Sequence, residues 1–215
     1  MVIIYHRINS IEKLKTVPPR YGVEIDVRHD NRTGKLYLNH DPGTGDNFEE
    51  YMKMFAAQKN AFVIFNIKEA GIEQQVIDIA KKYGIENYFL LDVEFPFIFR
   101  AAANGKHGLK PVDNLNGRVA IRYSEAEPIE QALSLQGKFK WVWVDTNTRL
   151  PLNKKIVQQL TTAGFKLCLV CPERWGRPED IAKYVETMKK EGIVLDAVMT
   201  NEKYVAQWET SEVIK

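Results

Sequence analysis

Three short apolar runs near the N-terminus of this 215-residue chain carry side chains that can do acid–base or metal chemistry. The runs cover residues 2–7, 23–28 and 36–41. Side chains of a strand alternate between two faces, so Glu24 and Asp26 share one face of the second run. Two carboxylates on one face can bind a hard divalent cation, which relieves their mutual repulsion. The spacing therefore predicts a polar cavity that contains half of a metal site.

Two histidines and several cations extend this chemistry. His6 and His40 lie in the first and third runs. An imidazole titrates near neutral pH, so one histidine can take a proton from a nucleophile while the other gives a proton to a leaving group. We expect Arg7, Lys68 and Arg122 to bind a phosphoryl group at the same site. Together these side chains predict the cleavage of a phosphodiester.

The elements that must position these side chains alternate along the chain. Segments rich in β-branched or aromatic residues predict nine strands, at residues 2–6, 23–28, 36–40, 61–68, 88–93, 119–123, 141–146, 166–171 and 195–200. Helical periodicity predicts six helices, at residues 48–57, 72–83, 96–103, 129–135, 154–162 and 181–190. Such alternation is typical of a parallel sheet with right-handed crossovers, so the predicted fold class is α/β.

One gap between predicted strands is too short for a crossover helix. Residues 29–34 separate the second and third strands, so these two strands should form an antiparallel hairpin. The other eight strands are the number that closes a (β/α)8 TIM-type barrel, here as a single domain over residues 1–215. An open doubly wound sheet is the alternative, but the Gly-rich turn that would follow its first strand is missing.

The predicted barrel brings the polar residues to one mouth. Antiparallel pairing in the hairpin sets His40 roughly opposite Glu24, and His6 ends the first strand. Barrel enzymes keep their active sites at the carboxyl ends of the strands. Asp92, near the end of the fifth predicted strand, and Trp175, after the penultimate strand, are expected at the same mouth. There the Trp175 indole could stack on a sugar or a base.

The composition of the chain indicates which kinds of partner to expect and in which compartment the protein is located. The chain has 30 Lys and Arg against 28 Asp and Glu, and its net charge of +2 does not indicate a nucleic-acid partner. No apolar stretch approaches the ~18 residues that a membrane span needs, and no secretory segment is recognised. Cys168 and Cys171 fall on opposite faces of a predicted strand without a second Cys or His pair, so we interpret them as buried thiols. These features predict a soluble, cytoplasmic protein.

The polar residues also match a known pattern. Three motifs carry the resemblance: His6-Arg7, Glu24-Ile25-Asp26 and His40-Asp41. In order and spacing they resemble the HR, ExD and HD motifs of the glycerophosphodiester phosphodiesterase family, which lies within the phosphatidylinositol phospholipase C-like superfamily. Residues 195–201 are similar to that family's last strand. The chain resembles a divergent, short member of this family.

The resemblance implies a TIM-type barrel enzyme with a divalent metal, Mg²⁺ or Ca²⁺. Glu24 and Asp26 would be metal ligands. His6 and His40 would be the acid–base pair, and Arg7 would contact the phosphate. The implied substrate is a small soluble phosphodiester, like a glycerophosphodiester, with a hydroxyl next to the phosphate. Deprotonated by one histidine, that hydroxyl would attack phosphorus while the other histidine protonates the departing alcohol.

The chain departs from the family pattern at several places. Ile8 stands where the family has Gly, and residues 9–12 replace a Glu-Asn-Thr element. The insert after the HD motif is missing, because residues 42–45 lead almost directly into a predicted helix. The strand that supplies a third metal ligand in the family has the neutral Asn66 here. Either Asn66 or Asp92 would therefore complete the metal site.

Two other functions are alternatives. The neutral side chain at Asn66 favours a barrel that binds a phosphate-bearing ligand without hydrolysing it. A sugar-phosphate isomerase or epimerase would use the same barrel, with Glu24 or His40 moving a proton beside a carbonyl. Turnover of a panel of phosphodiesters, with and without a chelator, separates these functions.

Overall fold

Ten strands and eight α-helices follow one another in the part of the chain that the computed structural model describes, residues 2–103, 115 and 117–214. The strands are β1 (Val2–Tyr5), β2 (Gly22–Asp30), β3 (Lys35–Leu38), β4 (Asp46–Asn47), β5 (Val63–Ile67), β6 (Tyr88–Leu91), β7 (Gly117–Tyr123), β8 (Phe139–Val144), β9 (Lys166–Val170) and β10 (Ala197–Thr200). The helices are α1 (Ile11–Thr16), α2 (Phe48–Gln58), α3 (Glu73–Lys82), α4 (Phe95–Ala103), α5 (Ile129–Leu133), α6 (Lys154–Thr162), α7 (Asp180–Glu191) and α8 (Val205–Glu209).

The fold class is the predicted one. Eight parallel strands alternate with helices along the chain, and β3 returns antiparallel to β2 as a hairpin. This is a (β/α)8 TIM-type barrel with its hairpin after the second strand. The chain forms two compact units, residues 7–119 and residues 1–6 with 120–215. That residues 1–215 act as a single domain stays a prediction.

In the unit of residues 7–119, β2 carries the polar residues. It pairs in parallel with β5 and antiparallel with β3, and β5 pairs in parallel with β6. Along β2, Ile25 and Val27 are fully buried, as the period of two predicts. Glu24 and Asp26 are buried too, and the parallel register sets Asp26 beside Asn66 of β5. The two carboxylates thus lie inside the fold rather than on its surface.

The register of the hairpin differs from the predicted one. Val27 lies opposite Leu38, whereas the pairing of His40 with Glu24 would need a shift of one residue. The turn explains the difference, because it contains four residues, 31–34, and Gly34 completes it with a left-handed φ of +69°. The prediction that His40 lies opposite Glu24 is therefore wrong by one residue, and the regular pairing ends before His40.

The chain between the hairpin and α2 contains one element that was not predicted, the two-residue strand β4, which pairs antiparallel with β3. Helix α2 begins at the next residue, so residues 42–45 lead almost directly into the helix, as predicted. A Cβ atom at Gly45 would lie 1.9 Å from the carbonyl oxygen of Leu38, so only glycine lets the chain pass so close to β3. Asn47 then caps α2, because its Oδ1 accepts the N–H of Glu50 at 3.0 Å.

In the unit of residues 1–6 and 120–215, β10 lies between β1 and β9, and β9 pairs with β8. Trp208 of α8 is fully buried, and its indole N–H donates to Cys171 Sγ at 3.3 Å. Cys168 and Cys171 are free and buried, which confirms their interpretation as buried thiols. Burial raises the pKa of both thiols, that of Cys171 to about 12, so both are protonated at neutral pH.

The helices follow the predicted periodicity with two additions. Helix α6 has the predicted bounds, whereas the short helices α1 and α8 were not predicted. The longest helix among the described residues, α7, has 12 residues. No helix in the described part of the chain combines the length and apolar character that a membrane crossing requires.

Candidate active site

The segment after β1 holds Arg7 in an uncommon conformation. Arg7 has a left-handed φ of +54°, which is rare for a residue with a Cβ atom. Its N–H donates to Glu24 Oε2 at 2.9 Å, and the Ile8 N–H donates to the Glu24 carbonyl at 2.9 Å. The buried Tyr51 hydroxyl donates to the Ile8 carbonyl at 2.8 Å. These bonds stabilise a backbone that costs about 1 kcal/mol or more, and such strain is common at functional sites.

Asp26 holds two cations from its fully buried position on β2. Asn9 contacts both the side chain and the backbone of Asp26, because Asn9 Nδ2 donates to Asp26 Oδ2 at 2.8 Å and the Asp26 N–H donates to Asn9 Oδ1 at 2.8 Å. Lys68 Nζ lies 3.1 Å from Asp26 Oδ1, and Arg7 Nε lies 3.9 Å from Asp26 Oδ2. The carboxylate therefore positions one ammonium and one guanidinium group.

Glu24 is the second buried carboxyl group. Besides the N–H of Arg7, it accepts a hydrogen bond from Asn66 Nδ2 on Oε1, at 3.0 Å. Burial, and then the negative charge of Asp26, raise the pKa of Glu24 to about 7. This group is therefore partly protonated near neutral pH. We call Arg7, Asn9, Glu24, Asp26, Asn66 and Lys68 the Asp26 cluster.

Two buried oxygens of the Asp26 cluster accept no hydrogen bond from the described residues, Asp26 Oδ1 and Asn66 Oδ1. They belong to residues that are paired in register on β2 and β5. Lys68 makes an ion pair with Asp26 Oδ1 without satisfying it as a hydrogen-bond acceptor. Buried acceptors of this kind are costly, and each one calls for an explanation such as a role in function.

His40 lies one residue beyond a backbone hydrogen bond to the Asp26 cluster. The Asn39 N–H donates to the Asp26 carbonyl at 3.1 Å, and Arg28 donates from Nε and Nη2 to the His40 carbonyl at 3.1 and 2.9 Å. The imidazole is 39% exposed, and its Nδ1 lies 2.9 Å from Asp41 Oδ1. A carboxylate at this position can orient the ring. His40 is therefore accessible to a ligand and suited to proton transfer.

Asp92 is the remaining predicted site residue in the unit of residues 7–119. Asp92 follows β6, is exposed and has a left-handed φ of +58°. No group of three or more His, Cys, Asp or Glu side chains among the described residues is placed to hold a metal ion. Asp92 thus does not join Glu24 and Asp26 in a carboxylate triad.

The remaining predicted residues belong to the unit of residues 1–6 and 120–215. The N–H of His6 donates to the Thr200 carbonyl at 3.0 Å, which fixes His6 at the end of β1. Arg122 pairs with Asp145, and its Nε donates to Glu127 Oε1 at 2.8 Å. Trp175 is 42% exposed and can accept a stacking ligand. The roles predicted for all of these site residues stay predictions.

The charges of the Asp26 cluster do not fit a resident divalent cation. Lys68 and Arg7 already balance the two carboxylates, and Asn66 contributes an oxygen without charge. A site that binds Ca²⁺ or Mg²⁺ relies on an excess of anionic oxygen ligands. Because Glu24 is partly protonated near neutral pH, the cluster is neutral to slightly positive, which favours an anionic ligand.

Sequence reasoning missed two residues that build this site. Asn9 makes two hydrogen bonds with Asp26, and the Tyr51 hydroxyl of α2 donates to the carbonyl of Ile8. The signal for Asn9 was its position two residues after Arg7, where its polar side chain could point back into the same cavity. Tyr51 had no local signal, because an aromatic residue on a helix face is typical of a core position.

Among known proteins, the chain is similar to a solved structure in its fold. No protein-family model matches the sequence, and no curated protein matches it. The crystal structure of a glycerophosphodiester phosphodiesterase from Parabacteroides distasonis ATCC 8503 matches with a TM-score of 0.59 and 15% sequence identity, over 96% of this chain and 95% of that chain. This likeness shows the fold alone.

A second solved structure, an uncharacterised protein from the same organism, has a TM-score of 0.44 at 15% identity, over 87% of this chain and 98% of that chain. Its TM-score is too low to support an argument about this chain. The shared fold nevertheless agrees with the TIM-type barrel of a phosphodiesterase.

Proposed function

We propose that this protein hydrolyses a small phosphodiester at the Asp26 cluster. The observation that carries the proposal is the pair of cations, Arg7 and Lys68, which the buried Asp26 holds on its two oxygens. A guanidinium and an ammonium group fixed beside each other bind the oxygens of a phosphoryl group and stabilise the charge that develops on them. The phosphodiesterase with a similar barrel supports this class of substrate.

The chain's own residues account for the binding step. The side chain of Arg7 is 36% exposed and that of Lys68 is 16% exposed, so both can reach a ligand while their charged groups stay close to Asp26. Asn9 prevents the Asp26 carboxylate from rotating, since it contacts both Oδ2 and the backbone N–H. The cations are thus held in place before the ligand binds, which lowers the cost of ordering them.

Proton transfer is assigned to the two histidines. His40, oriented by Asp41, takes the proton from the hydroxyl that attacks phosphorus. As the bond between phosphorus and the departing alcohol breaks, the alcohol oxygen receives a proton from the second histidine, for which His6 is the candidate. Because the attacking hydroxyl belongs to the substrate, this step leaves a cyclic phosphodiester. Water then attacks phosphorus and opens the ring, with the two histidines exchanging their roles, and this completes the hydrolysis. The assignment of acid and base can be exchanged without changing the chemistry. The substrate class is a small phosphodiester like a glycerophosphodiester.

A panel of phosphodiesters tests this function. We expect turnover of at least one glycerophosphodiester, and we expect Arg7→Ala to lower kcat/KM by roughly 10²- to 10³-fold, the usual loss for one donor to a developing negative charge. Arg32→Ala is the matched control, because Arg32 is an exposed arginine that pairs only weakly with Asp30 at 3.7 Å. Equal activity of Arg7→Ala and wild type would contradict the proposal.

The same assay decides whether the barrel only binds its ligand. The neutral Asn66 and the salt-bridged Asp26 favour this second function, since both lower the negative charge available for a catalytic metal. A binding protein would show no turnover of any phosphodiester, yet the ligand would raise its Tm in proportion to occupancy. Turnover that is lost in His40→Ala would exclude it.

A further inference from the structure

We infer that Lys68 takes the place of a divalent cation on Asp26, so that the Asp26 cluster binds its phosphate ligand without metal. The part that concerns phosphate rests on the proposed function, whereas the part that concerns metal binding stands on its own. The inference gives Lys68 two partners, the Asp26 carboxylate behind it and the ligand in front of it.

The position of Lys68 is the first step. Its Nζ lies 3.1 Å from Asp26 Oδ1, the one carboxylate oxygen of Asp26 that accepts no hydrogen bond from the described residues. The other oxygen, Oδ2, receives the amide of Asn9 at 2.8 Å and faces Arg7 at 3.9 Å. An added cation would need Oδ1, and Lys68 already places a positive charge there. Binding of a metal to Asp26 therefore requires that Lys68 move away.

The second step is the neighbouring residue on β5. Asn66 is paired in register with Asp26, and it donates its Nδ2 to Glu24 Oε1 at 3.0 Å. A carboxylate at this position could not make that donor contact and would repel Glu24, whereas the amide neutralises part of the Glu24 charge. Lys68 follows the last residue of β5, two positions after Asn66, so that Asn66 contacts Glu24 and Lys68 forms the ion pair with Asp26.

The third step is electrostatic. An ammonium group at 3.1 Å from a buried carboxylate is screened little by salt, because little water separates the two charges. A divalent cation at the same carboxylate would repel this ammonium group, so its affinity should be low as long as Lys68 keeps its place. A phosphodiester carries one negative charge and meets the free side of the same ammonium.

Calorimetry with metal ions alone tests the metal part. We expect wild type to bind Mg²⁺, Ca²⁺ and Mn²⁺ only weakly, with a Kd on the order of millimolar or above, and we expect Lys68→Met to bind one of them roughly tenfold more tightly. Lys82→Met is the matched control, because Lys82 also pairs with a carboxylate, Glu49 Oε1 at 2.5 Å, but its side chain is exposed at the end of α3. The control should gain no affinity.

Three results separate this inference from its alternatives. Tight binding of a divalent cation by wild type that Asp26→Asn abolishes would overturn it, and this measurement does not depend on the folding of any lysine variant. A folded Lys68→Met that binds no cation would overturn the role of Lys68 as the group that excludes metal. Turnover or phosphodiester binding that is unchanged in EDTA supports it. Failure of the proposed function alone would appear as absent turnover together with the expected metal results.

Discussion

Asp26 and Asp145 are buried to a similar degree, 0% and 3% exposed, and each holds an arginine near the end of a strand. Around Asp145 the partners form a closed set. Asp145 Oδ2 accepts hydrogen bonds from Arg122 and from the Trp143 indole at 3.1 Å, and Arg122 also donates to Glu127. We call Arg122, Glu127, Trp143 and Asp145 the Asp145 cluster. The charged groups of the Asp145 cluster are therefore already paired with one another within the fold.

The Asp26 cluster differs in what its partners leave unsatisfied. It has two cations on one carboxylate, two buried oxygens that accept no hydrogen bond from the part of the chain that the structure describes, and a second carboxyl group whose pKa is raised to about 7. A cluster that only stabilises the fold gains from satisfying every group, as the Asp145 cluster does. Charged residues at strand ends are thus common to both clusters, whereas of the two only the Asp26 cluster combines two cations on one carboxylate, a raised pKa of Glu24 and unsatisfied buried oxygens.

The largest expected effect is on catalysis beside the Asp26 cluster. His40→Ala should lower kcat by roughly 10²- to 10⁴-fold, the usual contribution of a positioned general acid or base. His29→Ala is a matched control, because His29 is on the same hairpin and its Nδ1 contacts Asn31 rather than the Asp26 cluster. Steady-state kinetics of the two variants test the assignment, and equal losses in both would contradict it.

His6→Ala should produce a loss of the same size, roughly 10²- to 10⁴-fold, with a different dependence on the substrate. A leaving group of low pKa departs without being protonated. The variant that lacks the general acid should therefore recover most of its activity on such a substrate, whereas the variant that lacks the base should not. Kinetics of His6→Ala and His40→Ala on an activated and an ordinary phosphodiester test this. Equal losses on both substrates would remove the separate roles.

The next effect concerns stability at the Asp145 cluster. Asp145→Ala leaves the Arg122 guanidinium with one partner fewer and removes the acceptor of the buried Trp143 indole. We expect the free energy of unfolding to fall by about 3 kcal/mol, as when one partner of a buried, hydrogen-bonded pair is removed. Urea unfolding measures it. An unchanged free energy together with a raised KM would instead support the substrate contact predicted for Arg122.

The sequence could predict the features that depend on local periodicity. Alternation along 23–28 was enough to place Glu24 and Asp26 on one face, and the short gap at 29–34 was enough to predict the hairpin. The bounds of α6 were predicted because its apolar residues repeat with the helical period. The motif residues were found because they cluster within the first forty positions.

Contacts between distant segments could not be predicted in the same way. The ion pair of Lys68 with Asp26 depends on the register of β2 against β5, which no local pattern encodes. Asn9 reaches Asp26 across 17 positions because the backbone turns at Arg7. Helix α1 was missed because only Leu14 of its six residues is buried, so no apolar period marks it. One capping residue, Ser10, was its remaining signal.

A smaller effect is expected in the pH dependence of stability. The pKa of Glu24 is raised to about 7 in the folded protein, so between about pH 4.5 and 7 the folded state binds this proton more tightly than the unfolded chain does. The free energy of unfolding should therefore fall as pH rises through this window, by up to about 3 kcal/mol. Urea unfolding at pH 5 and pH 8 measures the fall. It should be smaller in Glu24→Gln, and an equal fall in both proteins would contradict the assignment to Glu24.

The smallest expected effect is on the affinity for a divalent cation when Asn66 is substituted. Asn66→Glu introduces an anionic residue at the place where the pattern that the sequence resembles has one, so it should raise the affinity for a divalent cation. With Lys68 still on Asp26 Oδ1, we expect a gain below about threefold, because the ammonium continues to repel the metal. In the Lys68→Met background the same substitution should give a gain above about tenfold, and calorimetry of the four proteins yields this coupling as a double-mutant cycle. Equal gains in the two backgrounds would show that Asn66 and Lys68 act independently, and that the charge of Lys68 does not govern metal binding at Asp26.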